Sequence, residues 1–165
     1  MLRLHRINHS ADWREYQAAW GWMRAQPNLY SDVFGFYDFT DFARHPGEQI
    51  DFALRDDDKL IAFASLVLRG RKVCEFELIT PPRPRVRSIL ALCGELQRQY
   101  FDDLGFAVVF AEYPDDPRFD RPQRLCRMFG WREPKPGYFE YTIHDHLRAT
   151  NGQAKATHSL AASAV

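Results

Sequence analysis

The sequence predicts one α/β domain built on a mixed, mostly antiparallel sheet of six to seven strands, with helices on both faces. Three observations lead there. Residues 50–80 contain three strand-like segments joined by tight turns, the pattern of an antiparallel meander. Its middle segment, Leu60 to Leu68, is apolar on both alternating faces, as a strand covered on both sides must be. The continuous apolar run Phe106 to Ala111 follows an amphipathic helix, which marks a buried strand parallel to the one before it. A chain of 165 residues with 45% hydrophobic side chains supports one sizeable core and falls short of two ordinary domains.

The elements follow in order. Leu2, Leu4 and Ile7 alternate as an opening strand, and Ser10 is a helix N-cap for Trp13, Tyr16, Trp20 and Met23 at helical spacing. From Gln26 to Gln49, Pro27, Gly35, Pro46 and Gly47 surround the aromatic residues Phe34, Phe36, Tyr37, Phe39 and Phe42, so this stretch reads as a folded loop with one short helix near Phe39 to Arg44. The meander comprises Ile50 to Arg55, Lys59 to Leu68 and Lys72 to Thr80, with turns at Asp56-Asp57-Asp58 and at Gly70. Beyond Pro84 a helix carries Ile89, Leu92, Cys93, Leu96 and Tyr100 on one stripe and stops near Gly105. Asp120 is placed to cap a further helix with Leu125, Met128 and Phe129 inward and Gly130 past its end, and Tyr138 to Ile143 alternates as the last strand. Residues 1–148 form the domain; residues 149–165, rich in Ala, Ser and Thr, bury too little apolar surface to order themselves and read as a flexible tail.

Composition narrows the function classes. The 22 basic and 22 acidic residues cancel, so no whole-molecule field draws the protein to nucleic acid, and no basic stripe exists outside Arg69 to Arg87. The cysteines Cys74, Cys93 and Cys126 are odd in number and set in apolar surroundings, which fits reduced thiols and a cytoplasmic setting. No stretch reaches membrane-spanning length, and the alternation from Met1 onward is unlike a secretory signal. His144-Asp-His146 lacks a third ligand at a suitable spacing, so no metal is expected.

Two clusters carry chemistry. Alternation along Lys72 to Thr80 puts Glu75 and Glu77 on one face, about 6.5 to 7 Å apart, close enough for repulsion to raise one pKa toward neutrality. A carboxylate so raised exchanges its proton near neutral pH; a pair of acids answering Arg69, Arg71 or the arginine loop is the alternative. Arg83, Arg85 and Arg87 crowd a helix start, where the macrodipole disfavours each cation by about 0.3 to 1 kcal/mol. A bound phosphate would relieve that conflict, and so would neighbouring acids.

The element order, together with Leu125-Cys-Arg-Met-Phe-Gly-Trp131, resembles the acyl-CoA N-acyltransferase (GNAT) fold over nearly everything up to Ile143. The resemblance implies acetyl-CoA as donor, an amine as acceptor, a glutamate on the strand Lys72 to Thr80 as the base that deprotonates the ammonium, with Glu77 the first candidate and Glu75 the second, and an acceptor pocket near the aromatic cluster from Phe34 to Phe42, which core packing also explains. It further implies a pyrophosphate loop on either Arg83-Pro-Arg-Val-Arg-Ser88 or Arg85-Val-Arg-Ser-Ile-Leu90, with Arg83, Arg85, Arg87 and Ser88 at the cofactor, and backbone N–H groups at Ile79 for the pantetheine arm. Both registers lack the family's glycines. The tyrosine that often protonates the leaving thiolate is replaced by Cys126, and the asparagine common after the fifth strand by Glu112-Tyr-Pro-Asp-Asp116. The arginine-rich helix start, the buried strand and the closing helix are also similar to small acetyltransferase-like, virion-associated proteins of T7-like bacteriophages. Two readings therefore stand: an acetyl-CoA-dependent N-acetyltransferase with a degenerate cofactor loop, or a non-catalytic structural or interaction protein with a protein partner, in a host cytoplasm or a virion.

Overall fold

Alternating apolar segments separated by tight turns become the centre of the sheet. The computed structural model describes residues 1–8, 12–43 and 49–151, with the backbone alone at Phe36. The meander is β2 (Gln49–Asp56), β3 (Lys59–Gly70) and β4 (Val73–Ile79), antiparallel throughout. Asp57 makes the first turn with φ of 53°, a left-handed conformation that Asp tolerates through its short polar side chain. β1 (Leu2–Arg6) adds on the outer side of β2, from Leu2↔Asp56 to Arg6↔Phe52. The terminal amine of Met1 fastens that edge to Asp57.

The sheet has seven strands in the order β1-β2-β3-β4-β5-β7-β6. β5 (Val108–Glu112) runs parallel to β4, and every other neighbouring pair is antiparallel. A parallel neighbour needs a crossover, supplied by α4 (Val86–Asp102). The seventh strand, β6 (Arg132–Lys135), pairs with β7 (Tyr138–Thr142); Arg132, Glu133, Pro134 and Lys135 carry no alternation to announce it. Gly137 closes that hairpin with φ of 75°, and a Cβ there would lie 2.2 Å from the carbonyl oxygen of Tyr113. Glycine is required on both counts.

Each face has its own core. On one, α4 and α5 (Asp120–Met128) cover Phe52, Leu54, Ala62, Ala64, Leu66, Cys74, Phe76, Val109, Phe139 and Tyr141, and Ile89, Leu92, Cys93, Leu96 and Tyr100 are buried as their spacing predicts. On the other, α1 (Trp13–Arg24), α2 (Pro27–Phe36) and α3 (Phe39–Ala43) cover Ala53, Phe63 and Ile79. Rings interlock there: Tyr16 meets Phe63 at 5.2 Å, and Trp20 meets Phe34 at 5.1 Å and Phe42 at 5.4 Å. β3 lies between the two cores, which accounts for its two apolar faces.

Local expectations are corrected in three places. The stretch from Pro27 is helix α2, opened by Pro27 in its first turn and kinked at Tyr30, where φ −122° and ψ 20° leave the helical region. Asp120 is the first helical residue of α5 and makes no side-chain cap; Asp116 instead caps the short 3-10 turn Pro117–Phe119 by accepting from Arg118 N. Met128 is 62% exposed, and Gln123 and Cys126 point inward in its stead. The Ser10 cap, the Pro46-Gly47 turn and residues 152–165 of the expected tail lie outside the described residues. Residues 143–151 form a closing helix, α6, in which His146 stacks on Phe101 at 5.1 Å and faces Asp102 at 3.3 Å.

The Gly137 geometry sets a test of the fold. Gly137→Ala costs about 2 kcal/mol or more of stability, read as a lower urea midpoint, because the left-handed backbone and the contact with Tyr113 are both disturbed.

Candidate functional site

β4 and β5 pair only over Val73↔Val108, Cys74↔Val109 and Glu75↔Phe110. Past that point β4 stays with β3 out to Ile79, and β5 stays with β7 out to Glu112. The two central strands thus part company, and their C-terminal halves border an open wedge. Glu75 stands at its closed end, and Glu77 and Ile79 follow along the unpaired edge of β4.

The two glutamates share a face, as alternation requires, but their surroundings differ. Glu75 Oε2 accepts from Arg69 Nε at 2.8 Å and from Arg69 Nη2 at 2.6 Å, so its charge is answered. Glu77 lies in the cross-strand row Asp51↔Ser65↔Glu77. Its side chain is open to solvent yet ringed by protein, the mark of a concave site. Desolvation, and after it the charge of Glu75, raises the Glu77 carboxyl to about 7. The sequence foresaw repulsion as the cause; crowding is the larger one.

Behind Glu77 lies a buried polar network. Asp51, 1% exposed, accepts from Tyr16 Oη at 2.5 Å and Gln49 Nε2 at 2.9 Å, and from the hydroxyl of Ser65. Burial first, then the Asp51 charge, pushes the Tyr16 phenol far up, so this bond keeps its proton. Fully bonded, the network fixes the row that leads to Glu77.

Around the wedge are groups that the sequence reading passed over. Tyr30, at the kink of α2, lies by the backbone of Thr80 and stands near enough to Glu77 for that charge to help raise its phenol, after desolvation. Gln26 Nε2, at the N-cap of α2, donates to Thr80 O at 2.7 Å and ties the start of that helix to the residue that follows β4. Tyr113, just past β5, lies beside Cys126 of α5; burial pushes its phenol well up and the Cys126 thiol up to about 12. The one signal for Tyr113 in the sequence was parity: it continues the inward series of Val109 and Ala111.

The arginines divide. Arg85, the N-cap of α4, binds Asp56 at the end of β2 at 2.6 Å. Arg83 and Arg87 are exposed, and no ion pair or hydrogen bond to either is seen among the described residues. Ser88 is half-buried in the first turn of α4 and does not cap the helix. Beside α1 and α2, Trp20, Arg24, Pro27, Phe34 and Tyr37 line an open recess of about 380 Å³. Phe34 therefore both packs in the core and walls a recess. Among the described residues, no group of three or more His, Cys, Asp or Glu is placed to hold a metal, and no helix is long and apolar enough to cross a membrane. The three thiols are buried and free.

This architecture is that of the GNAT N-acetyltransferases. The fold matches spermidine N-acetyltransferase from Vibrio cholerae, solved with CoA and spermine, at 14% identity over 88% of this chain and 98% of that one, TM-score 0.69. Aminoglycoside acetyltransferase AAC(6')-Ib, solved with coenzyme A and kanamycin, matches at 11% identity over 90% of this chain and 98% of that one, TM-score 0.66. The Campylobacter jejuni N-acetyltransferase PseH, solved with acetyl coenzyme A, matches at 15% identity over 87% and 99%, TM-score 0.61. No family model matches the sequence, and no curated protein does.

The raised Glu77 carboxyl links stability to pH. In the folded state it binds a proton up to about 7, against 4.5 for an ordinary glutamate, so its contribution is fully present below about 4.5 and is lost as pH rises through 7. Glu77→Gln removes that loss: its melting temperature relative to wild type rises between pH 5 and pH 8, and a constant difference would mean Glu77 is not perturbed.

Proposed function

We propose that this protein is an acetyl-CoA-dependent N-acyltransferase in which Glu77 is the base that deprotonates an acceptor amine. The observation that carries this reading is the position of Glu77 at the lip of the β4–β5 wedge with a carboxyl raised to about 7. An alkyl ammonium must lose a proton before its nitrogen attacks, and a base that titrates near the working pH does this best. Glu75 is already engaged by Arg69 and serves to raise Glu77.

The acyl donor fits the wedge by its chemistry. Acetyl-CoA supplies an activated acyl group on a long pantetheine arm, and the unpaired edge of β4 around Ile79 offers backbone groups for that arm. Arg83 and Arg87 would meet the phosphates at the start of α4, where Ser88 and the first helical N–H groups also lie. Arg85 is the weaker candidate because Asp56 already satisfies it. With no glycine in the loop, the backbone approaches phosphate less closely, and side-chain charge carries more of the binding. The acceptor is an amine, for which the recess at Trp20, Phe34 and Tyr37 supplies a wall; polyamine and aminoglycoside are the acceptor types bound in two of the structures of like fold.

A second reading is favoured by the glycine-free loop and by the Arg85–Asp56 pair: a non-catalytic structural or interaction module, of the kind found in a virion, with the same fold and no CoA.

Calorimetric titration with acetyl-CoA and CoA separates the two. Binding in the micromolar range supports the transferase; no heat at millimolar ligand supports the module. Arg83→Ala with Arg87→Ala weakens CoA binding about tenfold at low salt and by less at high salt, as exposed charges require. Glu77→Gln lowers transfer by a factor of about 10² to 10⁴ with acetyl-CoA affinity unchanged. The wild-type rate climbs with pH through about 7 as the Glu77 carboxyl ionises, and a flat profile there removes Glu77 from the reaction.

A further inference from the structure

The recess beside α1 and α2 lies on the same face of the sheet as Glu77. Trp20 and Phe34, two of its walls, pack against the cluster that holds Ile79, and Ile79 and Glu77 share a face because they stand two residues apart on β4. Pro27, a third wall, follows Gln26, whose Nε2 donates to Thr80 O at 2.7 Å. One side of the recess is thereby fastened at the exit of β4, just past Glu77. Its volume of about 380 Å³ is room for a ring and its substituents.

The chemistry of the recess is one-sided. Trp20, Phe34 and Tyr37 offer ring surface and Pro27 an apolar edge, and the one charged wall among the described residues is Arg24. Arg24 ends α1, where the helix dipole favours a cation; it is exposed, and no ion pair or hydrogen bond to it is seen among the described residues. Nearby acids face elsewhere. Asp38 caps α3 by accepting from Asp41 N at 2.9 Å, and Asp32, two residues before Phe34, stands on the opposite side of α2. A ring face also attracts a cation, but the guanidinium already supplies one, and a second would meet repulsion with no acid among the described walls to offset it.

Resting on the transferase reading, we propose that the acceptor is an amine with an aromatic body that carries a carboxylate at the end remote from the amine. The ring packs among Trp20, Phe34 and Tyr37, and the carboxylate takes paired hydrogen bonds from the Arg24 guanidinium. The ammonium end is turned toward Glu77. The acetyl carbon bonds to nitrogen as the C–S bond breaks with its electron pair going to sulfur, and of the two protons the nitrogen loses, one goes to that sulfur and one through Glu77 to solvent. Coenzyme A thus leaves as its thiol, and the amide product keeps the carboxylate charge alone. A polycation such as spermine has no anion to offer Arg24 and is disfavoured.

The test sets para-aminomethylbenzoate against benzylamine, which lacks only the carboxylate, and against spermine, with thiol release from acetyl-CoA as the readout. Wild type is expected to use para-aminomethylbenzoate with kcat/KM about tenfold above benzylamine, the difference lying in KM and shrinking at high salt. In Arg24→Ala that ratio falls to about one and in Arg24→Glu it inverts, with thermal melting to confirm that both variants fold. Equal kcat/KM for the two ring amines, a preference for spermine, or a ratio that survives Arg24→Ala overturns the proposal and leaves the transferase reading standing. Thiol release with none of the three amines, from a chain that binds acetyl-CoA in calorimetry, does the same. A chain that binds no acetyl-CoA overturns the transferase reading, and the acceptor class with it.

Discussion

The parallel pairing of β4 with β5 ends after three residue pairs, and the rest of the candidate site depends on that interruption. A sheet held together along its whole length would bury the backbone of both strands in mutual hydrogen bonds. Here β4 keeps its antiparallel partner β3 and β5 keeps β7, so each strand remains anchored on one side while the other side opens. The gap needs no strained residue or mobile loop. It follows from the two strands being held by different neighbours, and it places Glu77, Thr80 and Tyr113 around one opening although they arise from different strands and strand exits.

The two faces of the sheet solve different problems. The face under α4 and α5 is largely apolar, and burial keeps the thiols of Cys74 and Cys93 and the phenol of Tyr100 protonated there. The face under α1 to α3 carries the row Asp51, Ser65 and Glu77. An acid 1% exposed is costly unless it is bonded, and Tyr16, Gln49 and Ser65 meet that cost at one end of the row. At the other end no donor to Glu77 is seen among the described residues, and surrounding protein and the Glu75 charge raise its carboxyl to about 7. Neighbouring acids of the same chemical type therefore reach opposite outcomes through the company they keep.

Much of the fold was legible because it rests on periodicity. Three strands with period two, a helix stripe from Ile89 to Tyr100 and a continuous apolar run at Phe106 to Ala111 each announce themselves over many residues. β6 stayed hidden because four exposed residues, one of them proline, carry no alternation, and α2 because Pro27 and Gly35 read as loop punctuation when Pro27 in fact opens the helix. Of the site, Glu75 and Glu77 were visible because strand alternation alone puts them on one face. What separates them is an arginine on one, Arg69, which the sequence offered as an answer to either acid, and crowding on the other, which depends on side chains that the sequence does not bring together. Tyr30 was missed because a kink has no sequence period, and Tyr113 because parity past the end of a strand was its one signal. The arginine loop was read correctly as a conflict with the helix dipole, yet an acid resolves it at Arg85, through Asp56 at a strand end 29 residues earlier.

The strand that was hardest to read has a consequence for how copies of the chain can meet. β6 closes one margin of the sheet with Arg132, Glu133, Pro134 and Lys135, all exposed. A neighbour offering its own strand there would find one position with no N–H to share and charged side chains on the others, and it would have only four residues along which to zip. Fibre-like growth in which sheet is added to sheet is therefore blocked at that margin, and of the two outer margins of the described sheet it is the opposite one, at β1, that stays open to strand-to-strand joining.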